Sequence, residues 1–370
     1  MTEADVTWLT RSVLWGSFGL AALFGAIAQR THFCTMGAVS DIVNMGDYTR
    51  MRQWVLAMGV AMLGFGALVH GGWIDAAKTL YASNRFLWLS GLTGGLMFGV
   101  GMVLASGCGN KTLVRIGGGS LKSLVVFLVM AISAYATLRG ITAVARVATV
   151  DRVAIDIAAG ASVPGLLTAT GMEARGAALV AALAIGGLFV AWALIRRDFW
   201  RLDNLLAGAG LGAIAVGAWW LSGHVGFVAE HPETLEATYL GTNSGKAEAL
   251  SFIAPAAYTV DWLILFSDKS KVLSVGIVSV LGVIAGSSAM AIASGTFRWE
   301  GFGGVEDVAN HLVGGVLMGV GGVTALGCTI GQGLSGISTL SLTSFVSVAS
   351  IIAGAVLGLR YQLWRLERMG

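Results

Sequence analysis

The sequence predicts an all-α polytopic membrane protein with about nine transmembrane helices in two pseudo-symmetric halves, and with short re-entrant half-helices that meet at the centre. Three observations lead to this fold class. Of the 370 residues, 56% are hydrophobic and 12% are charged, whereas a soluble domain carries about 25% charged residues. Several apolar windows reach the roughly 20 residues that a spanning helix needs. A glycine-rich segment that ends in cysteine also occurs twice.

Nine segments are apolar and long enough to be spans, namely 12–29, 54–72, 86–106, 120–138, 176–195, 203–221, 272–293, 309–326 and 341–360. Two long connections, 139–175 and 222–271, hold all three prolines and are too polar to span throughout. Residues 251–266 are apolar but short, so we expect a buried or interfacial segment there. We expect tryptophans near span ends, such as Trp54, Trp73 and Trp88, to anchor the protein at the interface.

The flanking charges predict how the chain enters the membrane. Glu3 and Asp5 precede the first apolar segment, so this segment lacks the basic start of a cleaved signal and is expected to be a membrane helix. Arginines cluster in the short loop 196–201 and from residue 360 onward, at Arg360, Arg365 and Arg368. Because cytoplasmic loops are enriched in basic residues, this pattern favours an outside N-terminus and a cytoplasmic C-terminus.

An internal repeat is the clearest sign of domain organisation. Residues 92–109 align without gaps on residues 312–329, and ten of the eighteen positions are identical, including Cys108 and Cys328. Gly25 precedes Cys34 by nine residues, as Gly99 precedes Cys108. We therefore predict one membrane transport domain over residues 1–370, built from repeated units at approximately 12–138 and 203–360, with connections at 139–175 and 222–271.

A short segment punctuated by glycine or a polar residue follows each cysteine: 35–45 after Cys34, 109–117 after Cys108 and 329–337 after Cys328. Each is about half the length of a span, so we interpret it as a half-helix with its cysteine at the N-terminal end. Exposed N–H groups and the positive end of the helix dipole attract an anion there. Thiols are soft and polarizable, which suits contact with sulfur.

Four further residues are candidate binding groups near these helices. Lys111 and Arg115 share a helical face and supply positive charge, Gln332 offers a hydrogen bond, and His224 stands where a weaker copy of the repeat places its cysteine. Alternative interpretations stay open: a cysteine as a packing residue, the two cations reaching the lipid headgroups, and His224 as a hydrogen-bonded core residue. The other histidines lack the spacing of a metal site, and we expect no metal and no cofactor.

Three motifs carry a resemblance to a known family: RTHFCTMGAVSD at 30–41, ASGCGNKT at 105–112 and ALGCTIGQGLSG at 325–336. Together they resemble the cysteine signatures of the YeeE/YedE sulfur-transport family, over nearly the whole chain. The resemblance implies a bacterial inner-membrane protein with an hourglass-like body and thiosulfate as substrate. It implies that Cys34 lies at one mouth of the path with Cys108 and Cys328 deeper. It also suggests a small cytoplasmic sulfur carrier of the TusA-like type as partner.

The leading hypothesis is a channel-like importer of thiosulfate or a related sulfur ion across the lipid bilayer. Two alternatives remain: transport of a selenium compound, and a membrane sulfurtransferase or redox sensor that holds a persulfide on one cysteine. No paired general acid and base lies near a cysteine in the sequence and no nucleotide-binding loop occurs, so we expect no enzyme activity. The small net charge of +3 gives no sign of nucleic-acid binding. The sequence does not predict an oligomeric state.

Overall fold

The computed structural model describes residues 2–232 and 234–369 and confirms the predicted all-α class. Up to Leu194 the helices are α1 (Glu3–Thr31), α2 (Thr35–Met45), α3 (Thr49–His70), α4 (Trp88–Leu104), α5 (Gly109–Gly117), α6 (Leu121–Arg139), α7 (Ile141–Ala148), α8 (Val163–Thr168), α9 (Ala174–Ala181) and α10 (Gly187–Leu194). A π-helical turn, Ala182–Gly186, joins α9 to α10 without a break.

The second half continues with α11 (Leu202–Leu205), α12 (Leu211–Trp220), α13 (Ile253–Ile264), α14 (Val275–Ala293), α15 (Val305–Thr324) and α16 (Leu342–Met369). π-Helical turns join α11 to α12, extend α12 and follow Cys328, at Leu206–Gly210, Leu221–Val225 and Gly331–Gly336. Two small antiparallel pairs tie the connections together: β1 (Arg85–Phe86) with β2 (Ile155–Asp156), and β3 (Phe227–Val228) with β4 (Thr238–Tyr239).

Within residues 2–232 and 234–369, eight helical stretches are long and apolar enough to cross a membrane. They coincide with eight of the nine predicted spans. The ninth, predicted at 309–326, is helix α15, whose first turns carry Glu306, Asp307 and His311 and are therefore less apolar. Helix α15 nevertheless packs against both α4 and α6.

Helices α4 and α15 cross at glycines. A Cβ atom on Gly94 would stand 2.6 Å from the carbonyl oxygen of Gly321. In the same way, one on Gly314 would stand 2.7 Å from the carbonyl oxygen of Gly101. Real Cβ atoms do not approach other atoms so closely, so only glycine permits this backbone contact.

Short pieces of structure fill the two long connections. Helix α13 has 12 residues, with Ile253 and Ala256 buried and Ile264 exposed, as expected for a short buried or interfacial segment. One sequence prediction about tryptophan is wrong. Trp54 is only 3% exposed and stacks on Phe33 with ring centroids 4.5 Å apart, because α3 is enclosed by other helices. Trp73, at 54% exposed, does lie at the surface.

Candidate functional site

The chain makes the same turn before each of the three cysteines. His32, Ser106 and Leu326, each two residues ahead of a cysteine, adopt positive φ angles of 52°, 56° and 62°. The next residue then donates its N–H to a carbonyl five residues back, from Phe33 to Ala28, from Gly107 to Met102 and from Gly327 to Gly322. This is the hydrogen bond of a Schellman helix end. Left-handed non-glycine residues cost energy and concentrate at functional sites.

Each cysteine then stands at the start of a short helical segment, as predicted. Cys34 caps α2 and Cys108 caps α5. The Gly37 N–H donates to the Cys34 Sγ, and the Gly331 N–H donates to the Cys328 Sγ, both at 3.4 Å. The Cys108 thiol makes no such capping bond. All three cysteines are buried, and none forms a disulfide in the described chain.

The structure brings the three turns together around Cys108. The Cys108 and Cys34 thiols lie next to each other. The Cys108 thiol also faces the side chain of Thr329 and the backbone N–H of Thr35, which are the residues that directly follow the other two cysteines. Cys108 therefore lies between Cys34 on one side and Cys328 on the other.

On the Cys34 side lies a group of basic residues that we call the Cys34 mouth: His32, Arg50, Lys111 and Arg115 around Cys34. Arg50 pairs with Asp41, with Nε and Oδ2 3.2 Å apart, and its guanidinium reaches Gly37. Lys111 and Arg115 are half-buried. Across the described parts of the chain, no carboxylate lies within 4.0 Å of either cation. The mouth therefore has two cations available to an anion.

On the Cys328 side lies a cavity of about 210 Å³, the Cys328 vestibule, lined among others by Tyr81, Arg85, Arg146, Glu248 and Gln332. Tyr81 donates its hydroxyl proton to the carbonyl of Gly331, the residue whose N–H donates to the Cys328 sulfur. The Gln332 Nε2 donates to the Ala325 carbonyl at 2.7 Å. Burial raises the pKa of the Glu248 carboxyl, which the Ser244 N–H and hydroxyl hold in place.

The structure does not bring every predicted site residue to the thiols. His224 is exposed and lies in the π-turn at the end of α12. Its ring centroid is 6.3 Å from that of Trp73 and 5.9 Å from that of Trp220. Two acidic residues that the sequence left without a role pair locally: Glu300 with Lys122 at 2.7 Å, and Asp307 with His311 at 2.9 Å. Among the residues that the structure describes, no group of three His, Cys, Asp or Glu side chains is arranged to hold a metal ion.

Several residues at the site were missed by the sequence analysis. Asn110 is fully buried, and neither amide atom has a hydrogen-bond partner in the described chain. Tyr81 and Glu248 come from connections between spans, and Trp54 was expected at the surface. In the sequence, Asn110 is marked only by its place two residues after Cys108, inside the motif ASGCGNKT.

Comparison with known proteins identifies the kind of protein to which this geometry belongs. The chain is 27% identical over 339 residues to "Thiosulfate transporter TsuA" of Escherichia coli (strain K12), an alignment that covers 90% of each chain. It is 26% identical over 357 residues to "Thiosulfate transporter TsuA" of Spirochaeta thermophila, covering 92% of this chain and 97% of the relative. The sequence model for sulphur transport matches residues 30–357. The chain therefore belongs to the sulphur transport family.

Proposed function

We propose that this multi-pass membrane transporter of sulfur compounds carries thiosulfate, or a closely related sulfur oxyanion, along the line of Cys34, Cys108 and Cys328. The observation that carries the proposal is the convergence of three buried thiols between the Cys34 mouth and the Cys328 vestibule. The names of the two relatives support the same substrate.

The chemistry of thiosulfate suits this path. Its terminal sulfur is soft and polarizable, so a thiol S–H can donate to it with little desolvation of a charged protein group. Its negative charge is stabilised by the N-terminal ends of α2 and α5 and by Lys111 and Arg115. In this mechanism the ion passes from one thiol to the next, and no bond is made or broken.

We further propose that two related halves frame the path, at approximately 12–138 and 203–360. The contacts of Gly94 with Gly321 and of Gly314 with Gly101 support this proposal. The repeat aligns Gly94 with Gly314 and Gly101 with Gly321, so each contact is the equivalent of the other in the opposite half. The third and eighth of nine spans run in opposite directions, so the halves would be inverted in the membrane.

The proposed location is the bacterial inner membrane, and the organisms of both relatives fit it. The basic loop and C-terminal arginines support a cytoplasmic C-terminus, which puts the Cys34 mouth at the cytoplasmic face. A small cytoplasmic sulfur carrier of the TusA-like type would then receive the substrate at this mouth.

Uptake of sulfur-35-labelled thiosulfate in a bacterial strain without other importers tests the function. Cys108→Ala is expected to lower uptake by roughly a hundredfold, since the central contact between the other two thiols is lost. Ser12→Ala, a change of similar size at a half-buried position of α1 outside the site, is the matched control and should keep wild-type uptake. Full uptake by a Cys108→Ala, Cys328→Ala double variant would refute the role of the thiols.

The same strain separates the alternatives. A selenium compound that competes better than thiosulfate itself would identify a selenium transporter. Mass spectrometry of the purified protein addresses the sulfurtransferase alternative. A stable adduct of one sulfur atom on a cysteine indicates group transfer, whereas unmodified thiols support passage of the intact ion.

A further inference from the structure

Two threonines occupy equivalent places at the site. Thr35 directly follows Cys34, and Thr329 directly follows Cys328. Both are buried, with 8% and 2% of their surface exposed. Both also reach the central thiol: the Thr35 N–H and the Thr329 side chain face the Cys108 sulfur.

The hydroxyls of Thr35 and Thr329 have no oxygen or nitrogen partner anywhere in residues 2–232 and 234–369. A buried threonine within a helix normally donates to the carbonyl four residues back. Thr31 and Thr324, in the helices that lead into the same two turns, do so at 2.8 Å. Thr35 and Thr329 lack that option, because they lie at the start of a new helical segment. A buried hydroxyl without such a partner has lost its hydration and gained no strong hydrogen bond in return.

The two hydroxyl-bearing residues meet a third donor. Thr35, Thr329 and Trp54 line one cavity of about 20 Å³, whose remaining wall is formed mainly by methionine, valine and isoleucine side chains. The indole Nε1 of Trp54 is buried and, like the hydroxyls, is without a partner in the described chain. The wall of this cavity is almost wholly carbon, so the three donor atoms lie buried beside it.

Three buried donors without oxygen or nitrogen partners, on residues of which two adjoin the Cys108 thiol, suit an anion that has both oxygen and sulfur ends. We propose that Thr35, Thr329 and Trp54 bind a sulfonate oxygen of the transported anion while Cys108 contacts its terminal sulfur. The site would then select oxygenated sulfur anions over bare sulfide. This inference rests on the proposed function and adds the residues that read the oxygen end of the substrate.

The test is a Thr35→Val, Thr329→Val double variant, which keeps side-chain shape and removes both hydroxyls. We expect the KM for thiosulfate uptake to rise by about thirtyfold, and the inhibition of uptake by sulfide to strengthen relative to wild type. The thermal unfolding temperature should stay equal or rise, because neither hydroxyl has an oxygen or nitrogen partner to lose. A merely structural role predicts the opposite change in stability.

Two control variants accompany it. Thr35→Ser, Thr329→Ser keeps the hydroxyls and should keep the KM within about twofold of wild type. Thr137→Val removes a buried hydroxyl that is already bonded to the Ser133 carbonyl at 2.8 Å. It lies outside the site, so it should lower the unfolding temperature and leave the KM unchanged.

The outcomes separate the inference from the function beneath it. A double valine variant with the wild-type KM and wild-type rejection of sulfide overturns the inference, while wild-type uptake and its loss in Cys108→Ala keep the function intact. Failure of the wild-type protein to carry thiosulfate overturns both. Should the double variant not fold, Trp54→Phe serves the same purpose: a raised KM supports the inference, and an unchanged KM with unchanged sulfide rejection overturns it.

Discussion

The Cys34 mouth and the Cys328 vestibule lie at opposite ends of the thiol path and differ in how their charges are paired. Arg50 of the mouth lies at the start of α3, and Tyr81 of the vestibule follows the other end of that helix. In the same way, Arg115 of the mouth precedes α6 and Arg146 of the vestibule follows it. At the mouth, no carboxylate of the described chain lies within 4.0 Å of Lys111 or Arg115. In the vestibule, Arg85 pairs with Asp156 at 3.8 Å and Arg146 with Asp151 at 3.4 Å.

The remaining vestibule charge is acidic. Glu248 has no cationic partner among the described residues, and burial raises the pKa of its carboxyl. Tyr81, Tyr258 and the two paired arginines are the other titratable groups on this cavity. An anion therefore meets weak or unfavourable charge in the vestibule and net positive charge at the mouth. This difference in charge indicates that the two ends act differently: the anion enters through the vestibule and is bound at the mouth.

Removal of charge at the mouth should have the largest effect on this comparison. Lys111→Gln is expected to lower thiosulfate uptake roughly tenfold at low ionic strength, because an unpaired cation near the path attracts the anion. The defect should shrink as salt is added and screens the charge. Lys111→Arg and the exposed Lys269→Gln are the controls, and uptake should stay near wild type in both. A defect in Lys111→Gln that is independent of salt would contradict this assignment.

Removal of the vestibule carboxylate should have the opposite sign and a smaller size. Glu248→Gln is expected to raise uptake at neutral pH about threefold, since it removes a negative charge from the entrance. Wild-type uptake should rise as the pH falls and Glu248 takes up a proton, whereas the variant should lack that rise. Uptake with the same pH profile in both proteins would show that Glu248 does not control entry.

The same carboxyl affects stability with a defined sign. Its folded pKa is raised, so its contribution to stability is present below the unfolded pKa and is lost as the pH rises through the folded value. The wild-type protein should therefore lose stability relative to Glu248→Gln between acid and neutral pH. Thermal unfolding at both pH values measures this difference.

The smallest effect is expected at the paired cation of the mouth. Asp41→Asn releases Arg50 from its ion pair and adds positive potential, so uptake should increase by less than about twofold. Asp203→Asn, which breaks the exposed pair with Arg30, is a matched control and should leave uptake unchanged. A large fall in uptake in Asp41→Asn would instead assign this pair to holding α2 in place.

The short helices that follow Cys34 and Cys108 could be predicted because glycine spacing and span length are local properties of a sequence. Helices α2 and α5 begin and end at the predicted residues, 35–45 and 109–117. The vestibule could not be predicted, because Tyr81 and Glu248 reach it through the connections, which carry no periodic pattern. Trp54 near a span end looks the same in sequence whether it faces lipid or protein. His224 was predicted to be a binding group because it stands where a weaker copy of the repeat would place its cysteine, and the structure does not bring it to the thiols.

The glycine crossing of α4 and α15 restricts how the protein can move. Carbonyl oxygens of each helix occupy the space where the other would carry Cβ atoms, so neither helix can slide by a turn without a collision or a gap. Cys108 and Cys328 follow these helices closely, and their spacing is therefore determined by main-chain atoms. In the proposed transport, the spacing of these two cysteines therefore stays constant while the ion passes.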